Sequence, residues 1–121
     1  MATGSGRIVV VEDEPEVLGL LCEVLEEDGF GVLGLPRPDL VIVDAVPDPK
    51  LFVIDLMLPG MDGIELAYRL RKDGFPHTPM VAISASERML NRAFQSGLFQ
   101  DTVAKPFDVC TVLDCVARHV G

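Results

Sequence analysis

Short apolar runs alternate with helix-period segments along this chain, and few folds can accommodate that alternation. Ile8-Val9-Val10-Val11 and Leu51-Phe52-Val53-Ile54 are apolar on both faces of an extended chain, so each must be covered from both sides. Parallel strands joined by crossover helices meet that need. The pattern therefore predicts an α/β architecture, a parallel sheet between two helical layers. At 121 residues the chain suits one domain, large enough to bury about 65–70% of the surface its unfolded form would expose.

Strands are expected at Arg7 to Glu12, Gly31 to Leu35, Leu51 to Asp55, Pro79 to Ile83 and Asp101 to Ala104. A first helix should start near Pro15, a residue suited to a helix's first turn, and stop at Asp28-Gly29. Further helices are expected over Gly63 to Lys72, Ser86 to Ser96 and Asp108 to Val120. In the last, Val109, Val112, Leu113, Val116 and Val120 form an apolar stripe. The second crossover is awkward, because Leu40-Val41-Ile42-Val43 reads locally as strand. Too few residues remain before Leu51 for another crossover, so topology favours a short, atypical helix from about Pro38 to Val46. Residues 1–6, small and polar, read as a flexible leader to a domain over 7–121.

The formal charge of −9 argues against direct contact with a nucleic acid backbone, which needs clustered Lys and Arg. Apolar runs are too short to span a bilayer, and no signal-peptide core is present. Cys22, Cys110 and Cys115 have neither paired number nor C-x-x-C spacing, so reduced, mostly buried helix thiols and a cytoplasmic location are expected. His77 and His119 are read as solvent-facing residues, with no ligand partner at i+4.

Chemistry concentrates at the strand ends. If the strands run parallel, Glu12, Asp13, Asp55, Ser84 and Lys105 meet at one edge of the sheet, where open α/β folds take their ligands. Carboxylates packed together repel unless a cation joins them, and carboxylate oxygens with water are what Mg²⁺ prefers, so Glu12, Asp13 and Asp55 are expected to hold it. An Asp can attack phosphorus and form an acyl phosphate. Lys105 can then pair with one phosphoryl oxygen while the Ser84 hydroxyl donates to another. Asp44 mimics Asp55 by ending an apolar run, but it lacks the Pro-Gly-Met-Asp-Gly turn that follows Asp55 and is assigned a surface or local structural role.

Around these residues the chain resembles a response-regulator receiver domain of two-component signalling, from end to end. Val-Val-Val-Glu12-Asp13-Glu-Pro is similar to that family's first strand and acidic pair, and Phe-Val-Ile-Asp55-Leu-Met-Leu-Pro-Gly-Met-Asp-Gly to its phosphoacceptor segment. Ile83-Ser84-Ala85 resembles the switch hydroxyl with its small neighbour, and Ala104-Lys105-Pro106-Phe107 the lysine with its commonly cis proline. Separations of 42, 29 and 21 residues from Asp13 to Asp55, Ser84 and Lys105 in turn also fit.

The resemblance implies a flavodoxin-like fold with strand order 2-1-3-4-5. It implies a non-enzymatic signalling domain phosphorylated on Asp55 by a sensor histidine kinase or phosphotransfer protein, with the Met57 carbonyl as a further Mg²⁺ ligand. Phosphorylation would switch an interaction surface around the fourth and fifth strands, a face that could also serve a homodimer. Three features depart from the pattern: Glu12 stands where Asp is frequent, Thr102 where an aromatic switch residue is expected, and the second crossover is rich in proline. Thr102 keeps open a phosphorylation-independent interaction module. An aspartyl phosphatase of haloacid-dehalogenase type is disfavoured, because it wants a second Asp where Met57 stands.

Overall fold

The computed structural model describes residues 7–40 and 48–120. Strands β1 (Arg7–Val11), β2 (Gly31–Leu35), β3 (Pro49–Asp55), β6 (Met80–Ser84) and β7 (Asp101–Ala104) form one sheet in the order β2-β1-β3-β6-β7. All neighbouring pairs in it are parallel. A small antiparallel hairpin, β4 (Met57–Leu58) with β5 (Met61–Asp62), is inserted after β3. Without that hairpin the order is the expected 2-1-3-4-5, a flavodoxin-like arrangement with its switch point between β1 and β3.

Side-chain alternation decides which helix lies on which face. Val9, Val11, Phe52, Ile54, Met80 and Ala82 pack against Leu66, Ala67 and Leu70 of α2 (Gly63–Asp73) and Ala93 of α3 (Glu87–Ser96). Their neighbours Ile8, Val10, Leu51, Val53, Val81 and Ile83 face the opposite way. These meet Leu21 and Leu25 of α1 (Pro15–Glu27), and Val112, Cys115 and Val116 of α4 (Val109–Val120). Both faces of the sheet are thus dry, as its uninterrupted apolar strands require. Among the described residues no helix is long and apolar enough to cross a membrane.

The second crossover differs from a regular helix. After β2 the chain makes only one turn of 3-10 helix at Pro38–Leu40; the rest of the expected helix, with Asp44, lies outside the described residues. Asp48 takes φ of 47° just before β3, a left-handed conformation that Asp tolerates better than most residues. β3 itself begins at Pro49, two residues before the apolar run.

The turn after β3 fixes the strand end that matters most. Pro59 and Gly60 sit at the tip of the β4–β5 hairpin, and Gly60 adopts φ of 79°, the left-handed value that the third position of a type II turn demands. Asp62 then caps α2, its Oδ1 accepting from the Glu65 N–H at 2.7 Å. Gly63 is packed so closely that an added Cβ would strike the Asp55 carbonyl oxygen, and it would lie 2.8 Å from Leu56 Cα. Helix α2 therefore starts directly against the end of β3. At the opposite edge Arg71 donates to the carbonyls of Phe75, Thr78 and Leu98 and to Gln100 Oε1, tying the end of α2 to the starts of β6 and β7.

Gly63→Ala is expected to destabilise the domain by about 1–3 kcal/mol, because neither backbone neighbour can retreat without moving β3; urea denaturation measures it. An equally stable variant would show that the contact is easily relieved.

Candidate functional site

β1 and β3 are adjacent, and β3 pairs with β6 so that Asp55 lies opposite Ile83, one residue before Ser84. Ser84 is in turn opposite Ala104, one residue before Lys105. The parallel register thus carries Glu12, Asp13, Asp55, Ser84 and Lys105 to a single edge, as their sequence positions suggest. The Lys105 N–H donates to the Ser84 carbonyl at 2.9 Å, anchoring the lysine to the neighbouring strand end. The Lys105–Pro106 peptide is cis.

Lys105 is the centre of the site. Its Nζ lies 2.8 Å from Glu12 Oε1, 3.1 Å from Glu14 Oε1 and 3.1 Å from Asp55 Oδ2. Burial alone would lower the ammonium's pKa, but the charges of Glu12, Glu14 and Asp55 beside it prevail and hold it above the ordinary lysine value. Asp55 is buried, and its Oδ1 accepts from the Met57 N–H at 3.0 Å. Both of its oxygens are thereby oriented, one by a charge and one by the backbone.

Glu12 is fully buried, deeper than an acid beside solvent would ordinarily be. Its Oε2 accepts from the Glu14 N–H at 3.0 Å. Its Oε1 has the Lys105 charge close by but no hydrogen bond of good geometry, so that oxygen keeps unused acceptor capacity. Burial pushes the Glu12 carboxyl up to about 7, against the lowering effects of Lys105 and the Glu14 N–H and with the Asp55 charge adding to the rise. One oxygen each from Glu12, Asp13 and Asp55 lie within 4.8 Å of one another. Three hard, anionic donors with one under-used oxygen fit a divalent cation that prefers oxygen.

Ser84 is buried with its Oγ accepting from the Ser86 N–H at 3.0 Å, which leaves its own proton free to donate. Met57 projects an exposed side chain from β4 into the rim of a cleft of about 580 Å³. Asp13, Asp62, Met89 and Arg92 also line it, giving an approach to the acidic cluster from solvent. A cleft of about 490 Å³ around Arg71, His77 and Gln100 lies at the far edge of the sheet and contains none of these strand-end acids.

Two features escape a reading of the sequence. Glu14 looks like an ordinary dipole-complementing acid at a helix start, yet it bonds Lys105. The consecutive acids Glu12, Asp13 and Glu14 are the only signal of that contact in the sequence. His119 is not solvent-facing: its ring is half-buried, 3.2 Å from Asp101 Oδ2, and Cys115 stands four residues before it on α4. Searching only forward from His119 misses that partner. The thiols are likewise not mostly buried, since Cys22 is half-buried, Cys110 exposed and Cys115 alone buried, all three free.

An open, doubly wound α/β domain with acids and one lysine beyond the carboxyl ends of parallel strands belongs to the class that binds at a topological switch point. Residues 8–117 match the response regulator receiver domain. The chain belongs to that family, the phosphoaccepting domains of two-component signalling. It is 38% identical over 106 residues to the transcriptional regulatory protein TcrA of Mycobacterium tuberculosis, a match covering 85% of this chain and 41% of TcrA. An uncharacterized 14.6 kDa protein of Leptolyngbya boryana is 34% identical over 116 residues, covering 93% of this chain and 88% of that protein. The BeF3-activated N-terminal receiver domain of Klebsiella pneumoniae RstA superposes with a TM-score of 0.83 at 31% identity, covering 94% of this chain and 97% of that one.

The raised Glu12 pKa sets the sign of a pH effect in metal-free protein. A folded-state value of about 7 against 4.5 for a free carboxyl means that the folded form binds this proton more tightly. The resulting stabilisation is complete below about 4.5 and is lost as the pH rises through about 7. In a chelator, Glu12→Gln should escape that loss, so its denaturation midpoint should rise relative to the parent's between those pH values. Parallel midpoints would show that Glu12 stays ionised throughout.

Proposed function

We propose that Asp55 is the phosphoacceptor and that Lys105, Ser84 and an Mg²⁺ ion complete its site. The observation that carries this reading is the Lys105 ammonium 3.1 Å from Asp55 Oδ2, beside the Glu12–Asp13 pair. The donor would be a phosphohistidine of a sensor kinase or of a phosphotransfer protein, in the cytoplasm. One Asp55 oxygen attacks phosphorus, the new P–O bond forms as the donor's P–N bond breaks, and the departing imidazole takes a proton from water.

Glu12, Asp13, Asp55 and the Met57 carbonyl would hold Mg²⁺, which neutralises charge on the phosphoryl oxygens when bound. Lys105 pairs with a second phosphoryl oxygen, and the Ser84 hydroxyl donates to another. Moving Lys105 and Ser84 toward the phosphoryl group would shift the ends of β7 and β6. A surface formed by those strands and helices α3 and α4 would thereby change, for a protein partner or a second copy of the chain.

A phosphorylation-independent module is the second reading, and Thr102 supports it. This residue is half-buried in β7 opposite Ala82, with no ring to reorient when Ser84 moves.

Exposure to Mg²⁺ with acetyl phosphate or beryllofluoride separates the two. The first reading expects one phosphoryl adduct by intact mass and altered amide resonances at the ends of β6 and β7, both absent in Asp55→Asn. An unmodified, spectroscopically silent protein would leave only the second. Lys105→Met should slow adduct formation by about a hundredfold through loss of its charge on the transferring group. Asp13→Asn should lose most of the Mg²⁺-induced rise in Tm; an undiminished rise would remove Asp13 from the cation's ligands.

A further inference from the structure

A second group of ligating side chains lies on the face of the sheet that α1 and α4 cover, and the phosphorylation chemistry does not use it. Asp101 opens β7 and, by strand alternation, points to the same face as the buried Val103, toward α4. Cys115 and His119 are one helical turn apart on α4, on the face that meets β7. One atom from each of Asp101, Cys115 and His119 lies within 4.8 Å of the others. Carboxylate oxygen, thiolate sulfur and imidazole nitrogen thus converge from two elements whose relative position the core already fixes.

We propose that Asp101, Cys115 and His119 form a binding site for a borderline-soft divalent transition metal, Zn²⁺ in the first instance. In a tetrahedral zinc site with bonds of about 2.0–2.3 Å, the ligand atoms stand about 3.2–3.8 Å apart. His119 Nε2 and Asp101 Oδ2 are already at 3.2 Å. Closing the remaining separations requires shifts of about an ångström, within the reach of side-chain rotation. The Cys115 thiol is buried, whereas Asp101 and His119 are partly open to solvent, so the ion enters past them and finds a fourth position for water. Binding breaks the Cys115 S–H bond and forms a metal–sulfur bond, with the proton passing to bulk water.

Arg118 is the group that stands in the way. Its guanidinium lies 2.9 Å from Asp101 Oδ2, but the side chain is 63% exposed and can swing into water. Asp101 Oδ1 meanwhile accepts from the Thr102 N–H at 2.9 Å, which holds the carboxylate in place as the arginine leaves. The imidazole and carboxylate then serve as ligands, and the arginine is a competitor for one of them.

The intact, untagged chain is titrated with Co²⁺ in saturating Mg²⁺, which keeps the acidic cluster at Asp55 occupied. One equivalent should produce a near-ultraviolet thiolate-to-cobalt charge-transfer band and the strong visible bands of four-coordinate cobalt. Zn²⁺ should then bleach both, as its greater affinity for such donors requires. Cys115→Ser and His119→Gln should each abolish the charge-transfer band; His119 is only partly buried, so its variant keeps the fold. Cys110→Ser should leave the band unchanged, and Arg118→Ala should tighten binding several-fold. No charge-transfer band, or one that survives Cys115→Ser or His119→Gln, would overturn the site. So would weaker binding in Arg118→Ala, which would make the arginine a part of a purely structural cluster.

Discussion

One ammonium group holds the functional edge of this molecule together. Glu12, Glu14 and Asp55 converge on Lys105 from the ends of separate elements, and without a positive charge among them like-charge repulsion would drive those strand ends apart or leave their carboxyls protonated. Everything else at that edge answers to this convergence. The Lys105 N–H donates to the Ser84 carbonyl, and the Gly63 contact presses the start of α2 onto the end of β3. A single cation still leaves anionic charge in excess, and the nearby Asp55 charge adds to the rise that burial imposes on the Glu12 pKa.

The sheet makes such an arrangement tolerable. Its two apolar faces are buried under separate helical layers, so stability resides in the interior contacts of Phe52, Ile54, Leu21 and Val116 and their neighbours, well away from the charged edge. Arg71 binds carbonyl groups at the opposite end, where the chain leaves α2 and enters β6 and β7. One end of the strands is devoted to holding the chain together, and the other carries closely spaced like charges.

The sheet order and the gathering of Asp55, Ser84 and Lys105 were legible in the sequence because they depend on period and register. Fully apolar runs identify parallel strands, and parallel strands bring their last residues together whatever the details of the connecting loops. The second crossover was not legible in the same way: β-branched Val41-Ile42-Val43 favours extended chain, topology favours helix, and only its first turn is described. The role of Glu14 was hidden because a lysine reaching back across 91 residues leaves no local trace. The neighbourhood of His119 was obscured for a related reason. Its helical partner Cys115 lies behind it, and Asp101 belongs to a different element, so only the packing of α4 on β7 brings the three together.

Glu14 differs from the other carboxylates on Lys105 in being on the surface, its side chain 62% exposed whereas Glu12 is wholly enclosed. On the proposed role of Asp55, an arriving phosphoryl group competes with Glu14 for the same ammonium, and Glu14 is the partner that water can readily take back. The event at the lysine is then an exchange of anions rather than the capture of one. What is set loose is the side chain of Glu14, the residue that opens α1, so phosphorylation would be felt at the start of that helix as well as at the end of β7.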